Sequence, residues 1–160
     1  MIRPLLAAAL ALMLTACATT ASHGPEARPF AGAPAASSAV GGALARAAAV
    51  NKRVILIFGY DACHDSRGLA GWFVTPRFQA MMAPRYEIVW IDTGEDHQTN
   101  RDLAERYGVA PITGTPTVVI LGPYGRPVNS PADAAGWRNA ASRSERSIYD
   151  YFEKLGGPHG

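Results

Sequence analysis

A run of five apolar residues, about a third of the way along the chain, constrains the fold more than any other feature. Residues 54–58 read Val-Ile-Leu-Ile-Phe, are rich in strand-forming side chains and end at Gly59. A strand that is apolar on both faces needs cover on both sides, as the central strands of parallel and mixed sheets have. The run therefore predicts a buried central strand with helices packed on each side of its sheet.

Helical and strand-like patterns alternate on either side of this run. Such alternation, closed by a hairpin and a last helix, is typical of α/β proteins with a mixed sheet. We expect one α/β domain over residues 43–157, with about four strands and helices on both faces of the sheet. Trp137 lies in the polar stretch 129–143, where it is expected to cover one face of the domain. The predicted helices cover residues 43–50, 63–72, 75–82, 100–107 and 142–154, and the predicted strands cover residues 54–58, 87–92, 117–121 and, in the hairpin, 127–128.

The first sixteen residues have the features of a secretory signal peptide. Arg3 gives a positive start, and residues 4–14 form an apolar run of eleven residues, which is too short to span a bilayer. Residues 14–17, Leu-Thr-Ala-Cys, resemble the bacterial lipobox, which implies cleavage before Cys17 and acylation of that cysteine, with palmitate among the acyl chains. Ala18 follows instead of a retention aspartate, which favours the periplasmic face of an outer membrane. The alternative is an ordinary signal peptide that leaves Cys17 as a plain thiol.

The segment between the signal peptide and the domain is compositionally simple. Residues 17–42 consist mostly of Ala, Ser, Thr, Gly and Pro and lack hydrophobic periodicity, which predicts a disordered tether. A flexible segment of this length spans roughly 25–30 Å on average and would lift the domain clear of a lipid surface. The formal net charge of +2 comes without a basic stripe, so nothing indicates nucleic-acid binding.

Cys63 stands where the central strand is predicted to turn into a helix. The free backbone N–H groups and the dipole at the start of a helix favour a thiolate at this position. Arg67 lies on the same helix face and adds positive charge, whereas Asp61 and Asp65 act in the opposite sense. The chain has two cysteines, and acylation of Cys17 would leave Cys63 as its only free thiol.

Residues in and around this turn resemble the thioredoxin superfamily. Residues 63–66, Cys-His-Asp-Ser, stand where the family has Cys-x-x-Cys, and Arg67 follows at a position that is often basic. Residues 114–117, Gly-Thr-Pro-Thr, resemble the cis-proline segment of the family. An alanine-rich first helix and a closing hairpin with a last helix occur in the family order. The resemblance covers residues 43–155 and implies a thioredoxin-like fold.

The same resemblance implies the substrate-binding residues. In the family, the residue before the cis-proline pairs its backbone with the substrate chain beside the reactive sulfur. This role is carried to Thr115, and the cis bond to Thr115–Pro116. His64, next to the reactive cysteine, completes the expected substrate-binding set.

Three positions depart from the family pattern. Ser66 replaces the second cysteine and cannot release a mixed disulfide by attacking it. Ala62 stands in place of the usual tryptophan, and Ile57 in place of a buried acid that relays protons in many members. These departures argue against self-contained dithiol chemistry.

The main functional hypothesis is therefore monothiol exchange. Cys63 would form mixed disulfides with protein thiols or disulfides of the cell envelope, or with a small thiol, and an external thiol would resolve them. Ser66 and Arg67 complete the candidate catalytic set, and Ser66 has a hydroxyl able to donate a hydrogen bond to the sulfur.

Two alternatives remain open from the residues alone. The domain can serve as a non-catalytic binding or assembly module for an envelope protein, because a fold does not determine function. Cys63 and His64, with the acidic loop 92–97, contain zinc and copper ligand types, but adjacent Cys and His side chains rarely reach one ion. We therefore expect no metal site and no cofactor.

Overall fold

The apolar run forms the central strand of a three-stranded mixed sheet with the order β2-β1-β3. The computed structural model describes residues 24–31, 33 and 35–157. In this part of the chain, no helix has the length and apolar character needed to cross a membrane. The elements are α1 (Ala36–Ala49), β1 (Arg53–Gly59), α2 (His64–Phe73), α3 (Pro76–Met82), β2 (Tyr86–Asp92), α4 (Arg101–Arg106), β3 (Thr117–Leu121), α5 (Pro131–Ala135), a 3₁₀ segment (Gly136–Ser142) and α6 (Glu145–Leu155).

Strand β1 is covered on both faces, as its sequence requires. It runs parallel to β2 and antiparallel to β3, so Ile55 lies opposite both Ile88 and Ile120. Ile55 and Ile57 face a core that contains residues of α2, α3, α6 and the 3₁₀ segment, whereas Leu56 faces a second core formed with α1 and α4. The expected α/β fold class with a mixed sheet and helices on both faces is confirmed.

The fourth strand expected near residues 127–128 is reduced to a single bridge between Leu121 and Pro127. Proline has no backbone N–H to donate to a sheet. The side chain of Asn129 takes over part of the pairing, because its amide accepts from Ile120 N–H at 2.8 Å and donates to the Val118 carbonyl at 2.9 Å. The edge of β3 is thus covered by a side chain where a strand was predicted.

The chain ahead of α1 departs most from the sequence prediction. The disordered tether was expected to continue to residue 42, but α1 begins at Ala36, and residues 24–31 form an ordered N-terminal strap across α2. Phe30 in this strap is only 1% exposed and belongs to the core, and Ala27 N–H donates to the Arg67 carbonyl at 3.2 Å. The prediction was wrong here because one buried aromatic residue leaves no periodic pattern. The signal peptide, Cys17 and the first part of the expected tether lie outside the described residues.

The polar stretch around Trp137 is anchored by that residue. The Trp137 side chain is fully buried, with ring centroids 4.8 Å from Tyr151 and 5.0 Å from Phe152. The following helix begins one turn later than the sequence suggested, because Ser144 accepts the N-cap hydrogen bond from Ser147 N–H. Trp137 therefore fixes the 3₁₀ segment against the core.

The strap crosses α2 so closely at Gly71 that a substitution there tests how tightly the two segments pack. A Cβ atom on Gly71 would overlap the carbonyl of Pro25, so Gly71→Ala is expected to displace the strap and to lower the free energy of unfolding by about 1–3 kcal/mol. Gly41→Ala is the matched control, because a Cβ atom there meets nothing within 4 Å, and it should stabilise the helix by about 0.5–1 kcal/mol. Urea unfolding of the two variants measures the difference, and equal effects would contradict the packing described.

Candidate active site

Cys63 is the N-cap residue of α2 and is half-exposed. Its N–H donates to the Tyr60 carbonyl at 3.1 Å, and its own carbonyl accepts the first helical bond from Arg67 N–H at 3.0 Å. Its thiol donates to the Thr115 carbonyl at 3.3 Å, across a separation of 52 residues. The two residues meet because β1 ends, and the antiparallel β3 begins, at the same edge of the sheet.

The loop that precedes β3 presents its backbone to the thiol. The Thr115–Pro116 bond is cis, as the family resemblance implied, and a second cis bond, which the sequence did not predict, joins Ala110 and Pro111. Thr115 is only 6% exposed, and it is its carbonyl that contacts the Cys63 sulfur. Pro116 is buried behind it.

Ser66 lies one turn after Cys63 but points into the interior. It is fully buried, and its hydroxyl has no hydrogen-bond partner among the described residues. A Cβ atom on Gly59 would lie 2.6 Å from the Ser66 Oγ atom and 2.7 Å from the ring of Phe30. Ser66 therefore forms part of the floor of the site, together with Gly59 and Phe30. The hydrogen bond to the Cys63 sulfur that the sequence suggested is not formed.

Arg67 connects the active-site turn to the strap. Its guanidinium donates to the carbonyls of Asp61 and Ala62, at 3.3 and 2.7 Å, and pairs with Glu26 at 3.0 Å. The hydrogen bond from Arg67 is the main reason why the pKa of Glu26 lies below its usual value. The more exposed His64 ring contacts the same carboxylate at 3.2 Å. Glu26 thus offsets much of the positive charge that the sequence assigned to the thiol environment.

The two aspartates beside the thiol are also held by protein groups. The Asp61 carboxylate accepts the N–H groups of Phe30 and Ala31, at 3.1 and 2.8 Å. The Asp65 carboxylate accepts Ala141 N–H at 2.8 Å. Asp61 therefore holds the strap in place, and Asp65 holds the 3₁₀ segment in place. These two segments bound the site on either side, and neither of them had been assigned to it from the sequence.

Sequence reasoning did not place the 3₁₀ segment beside the loop that contacts Cys63. A Cβ atom on Gly114 would lie 3.1 Å from the Arg138 Cβ atom, so the stem of Arg138 crosses the loop one residue before Thr115. Trp137 in a polar stretch indicated that this segment packs against the domain. No sequence pattern indicated that it would pack against the loop before Thr115. A cavity of about 370 Å³ lies between the segment and the start of α2, lined by His64, Asp65, Asn139, Ala141 and Ser142.

Asp92 and His97, which were considered as metal ligands from the sequence, form hydrogen bonds to the backbone of nearby loops. Among the residues that the structure describes, no three or more His, Cys, Asp or Glu side chains are grouped to hold a metal ion. The Asp92 carboxylate accepts Gly94 N–H, and the His97 ring contacts the Ile112 carbonyl at 3.2 Å. Tyr60 lies 5.9 Å from the His97 ring, and burial raises the pKa of its phenol, which stays protonated at neutral pH.

The two hydrogen bonds accepted by Asp61 predict a specific loss. Asp61→Asn keeps the shape but turns an amide N–H₂ group towards one of the strap N–H donors, which should cost about 1–3 kcal/mol of folding free energy. The same change should increase proteolytic cleavage within the strap. Asp150→Asn is the control, because Asp150 pairs only with the exposed Arg146 on α6. An Asp61 variant as stable as the control would contradict the anchoring role.

The chain is similar to known proteins in sequence and in fold. Residues 35–123, more than half of the chain, match a family model described as thioredoxin-like. A solved structure described as a disulphide isomerase from Xylella fastidiosa Temecula1 is similar, with 29% sequence identity, a TM-score of 0.74, and coverage of 82% of this chain and 98% of that chain. No curated protein matches the sequence significantly. The matched family model and the shared fold together establish that this chain belongs to the thioredoxin-like family.

Proposed function

We propose that the protein is a thiol-disulfide exchange protein that acts through Cys63 alone. The observation that carries this proposal is the position of a half-exposed thiol at the start of α2, 3.3 Å from the Thr115 carbonyl. Cys63 is the only cysteine among the described residues, and Ser66 occupies the position of a resolving thiol. Similarity to a structure described as a disulphide isomerase supports chemistry of this class.

The exchange proceeds in two displacement steps. The Cys63 thiolate attacks one sulfur of a substrate disulfide, a new S–S bond forms, and the other substrate sulfur leaves as a thiolate. A second thiolate from outside the protein then attacks the mixed disulfide. If it attacks the substrate sulfur, Cys63 leaves as the thiolate and a new disulfide leaves the site. When the attacking thiolate is the substrate's own, the product is an isomerised disulfide without net oxidation or reduction.

The residues around the sulfur have separate roles in these steps. Cys63 is the N-cap residue of α2, and the backbone N–H groups at the start of a helix are suited to face an anionic sulfur. Loss of the thiol proton also removes the donor from the Thr115 carbonyl. That carbonyl then becomes available to a backbone N–H of a bound substrate chain, which would hold the disulfide next to Cys63.

The proposal also includes a lipid anchor at Cys17 in the cell envelope, on the periplasmic face of an outer membrane. The signal-like residues 1–16 and the lipobox-like residues 14–17 support it. The strap is seated on α2 from Gly24, so six residues, 18–23, lie between the anchor at Cys17 and the packed domain. This segment reaches about 25 Å when fully extended. The site would therefore work close to the lipid surface, on envelope thiols and disulfides.

Labelling with palmitate tests the anchor. The wild-type chain expressed in a bacterial host should incorporate label and remain with the membrane fraction, because buried acyl chains hold it there. Cys17→Ser should lose the label and leave the membrane fraction. Cys63→Ser is the matched control and should keep both properties. Equal labelling of the two variants would refute acylation at Cys17.

Reduction of insulin disulfides with dithiothreitol tests the monothiol mechanism. In the full-length chain carrying Cys17→Ser, which leaves Cys63 as its only cysteine, turnover should be slow because an external thiol must resolve each mixed disulfide. Adding Ser66→Cys should raise turnover about tenfold or more, since an intramolecular thiol is present at a high effective concentration. Ser147→Cys, on the exposed surface of α6, is the control for a thiol placed elsewhere.

Three results would count against the mechanism. Turnover of the parent protein at the rate of a dithiol thioredoxin would contradict the need for an external thiol. Full activity after Cys63→Ser would remove that residue from the reaction. A Cys63 thiol that resists alkylation and forms no mixed disulfide would favour the non-catalytic binding module.

A further inference from the structure

Arg138 is an exposed charge next to the loop whose Thr115 carbonyl contacts the Cys63 sulfur. It is exposed on the 3₁₀ segment, its stem lies against Gly114, and no ion pair to it is formed within the described part of the chain. The other charged groups of the site are engaged, since Arg67 pairs with Glu26 and the neighbouring aspartates accept backbone N–H groups. A guanidinium left without an acid next to a nucleophile is suited to bind an anion from outside.

The segment that carries Arg138 is held firmly in place. Trp137, the preceding residue, is fully buried, and Ala141 N–H is bound by the Asp65 carboxylate at 2.8 Å. Arg138 therefore projects from a backbone that is fixed to both the core and the start of α2. Binding a ligand would therefore require little further ordering of the backbone, which lowers the entropic cost of binding, as in preorganised sites.

The neighbouring cavity is of a size for a small molecule. Its volume is about 370 Å³, at the lower end of the range for small-ligand pockets. The side chains of His64, Asp65, Asn139 and Ser142 on its walls are polar, and the Asp65 carboxylate already accepts Ala141 N–H at 2.8 Å. His64 and Asn139 in this lining directly follow Cys63 and Arg138 in the chain, so the cavity lies next to both residues.

We propose that Arg138 binds the carboxylate of a small thiol that attacks the sulfur of Cys63 from the side of the 3₁₀ segment. The inference rests on the proposed exchange function and names its external thiol by chemical class. In the step considered, Cys63 is joined to a leaving group through a disulfide. The thiolate of the incoming molecule forms a bond to the Cys63 sulfur, the old S–S bond breaks, and the leaving group departs with the electron pair. A second molecule of the same thiol then frees Cys63 and leaves as a symmetrical disulfide.

Three small thiols of different charge test this assignment. The full-length chain carrying Cys17→Ser is loaded at Cys63 with thiopyridine, an uncharged leaving group whose release is followed by absorbance. Mercaptopropionate is anionic, mercaptoethanol is neutral and cysteamine is cationic. The ratio of the anionic to the cationic rate, compared between protein variants, cancels the intrinsic reactivity of each thiol.

The ratio is expected to fall about two- to fivefold in Arg138→Gln, the range for a solvent-exposed ion pair. Arg138→Lys should retain most of the ratio, because it keeps the charge. Arg126→Gln is the matched control, since this exposed arginine lies in the hairpin beyond Leu121, at the opposite end of β3 from Thr117. Raising the ionic strength should lower the wild-type ratio towards that of Arg138→Gln.

The outcomes separate this inference from the proposed function. If all three thiols displace thiopyridine and Arg138→Gln leaves the ratio unchanged, the inference is overturned and the exchange function stands. If Cys63 accepts no thiopyridine or none of the thiols displaces it, the exchange function itself fails. A dependence on Arg138 that appears with acidic peptide thiols but not with small thiols would also overturn the assignment.

Discussion

Strand β1 has no polar face, and each element that shapes the site is held in place by covering one side of it. Helices α2, α3 and α6 and the 3₁₀ segment cover one side, and α1 and α4 cover the other. The end of this strand is therefore a fixed point from which α2 starts. The antiparallel β3 begins beside it, which brings the Thr115 carbonyl to the Cys63 thiol. The reactive contact is a consequence of sheet topology more than of any local attraction.

The charged groups near the thiol mainly hold neighbouring segments in place through hydrogen bonds and an ion pair. Asp61 binds the strap, Asp65 binds the 3₁₀ segment, and Arg67 joins the active-site turn to Glu26. The Asp61 carboxylate accepts two backbone N–H groups of the strap, and such charge-assisted hydrogen bonds are stronger than neutral ones. Arg138 forms no ion pair within the described part of the chain, which leaves its charge free for the ligand proposed for it.

The parts of the fold that follow from local pattern were predictable. The strand at residues 54–58, the proline-initiated α3 and the placement of Cys63 before α2 all follow from apolar runs, proline and turn residues. The strap was missed because Phe30 is one aromatic among small residues, and its burial depends on the space that Gly59 leaves in three dimensions. The approach of Arg138 to the loop before β3 likewise depends on tertiary packing of Trp137, which no local spacing encodes.

The strap also changes how the site relates to the rest of the chain. Phe30 lies under Gly59 and beside Ser66, so part of the floor of the site comes from residues that the sequence had assigned to a tether. A glycine at position 59 accommodates this ring, and the small serine at position 66 lies against the same space. The N-terminal segment therefore cannot be regarded as a passive spacer, because its displacement would open the space beneath the Cys63–Ser66 turn.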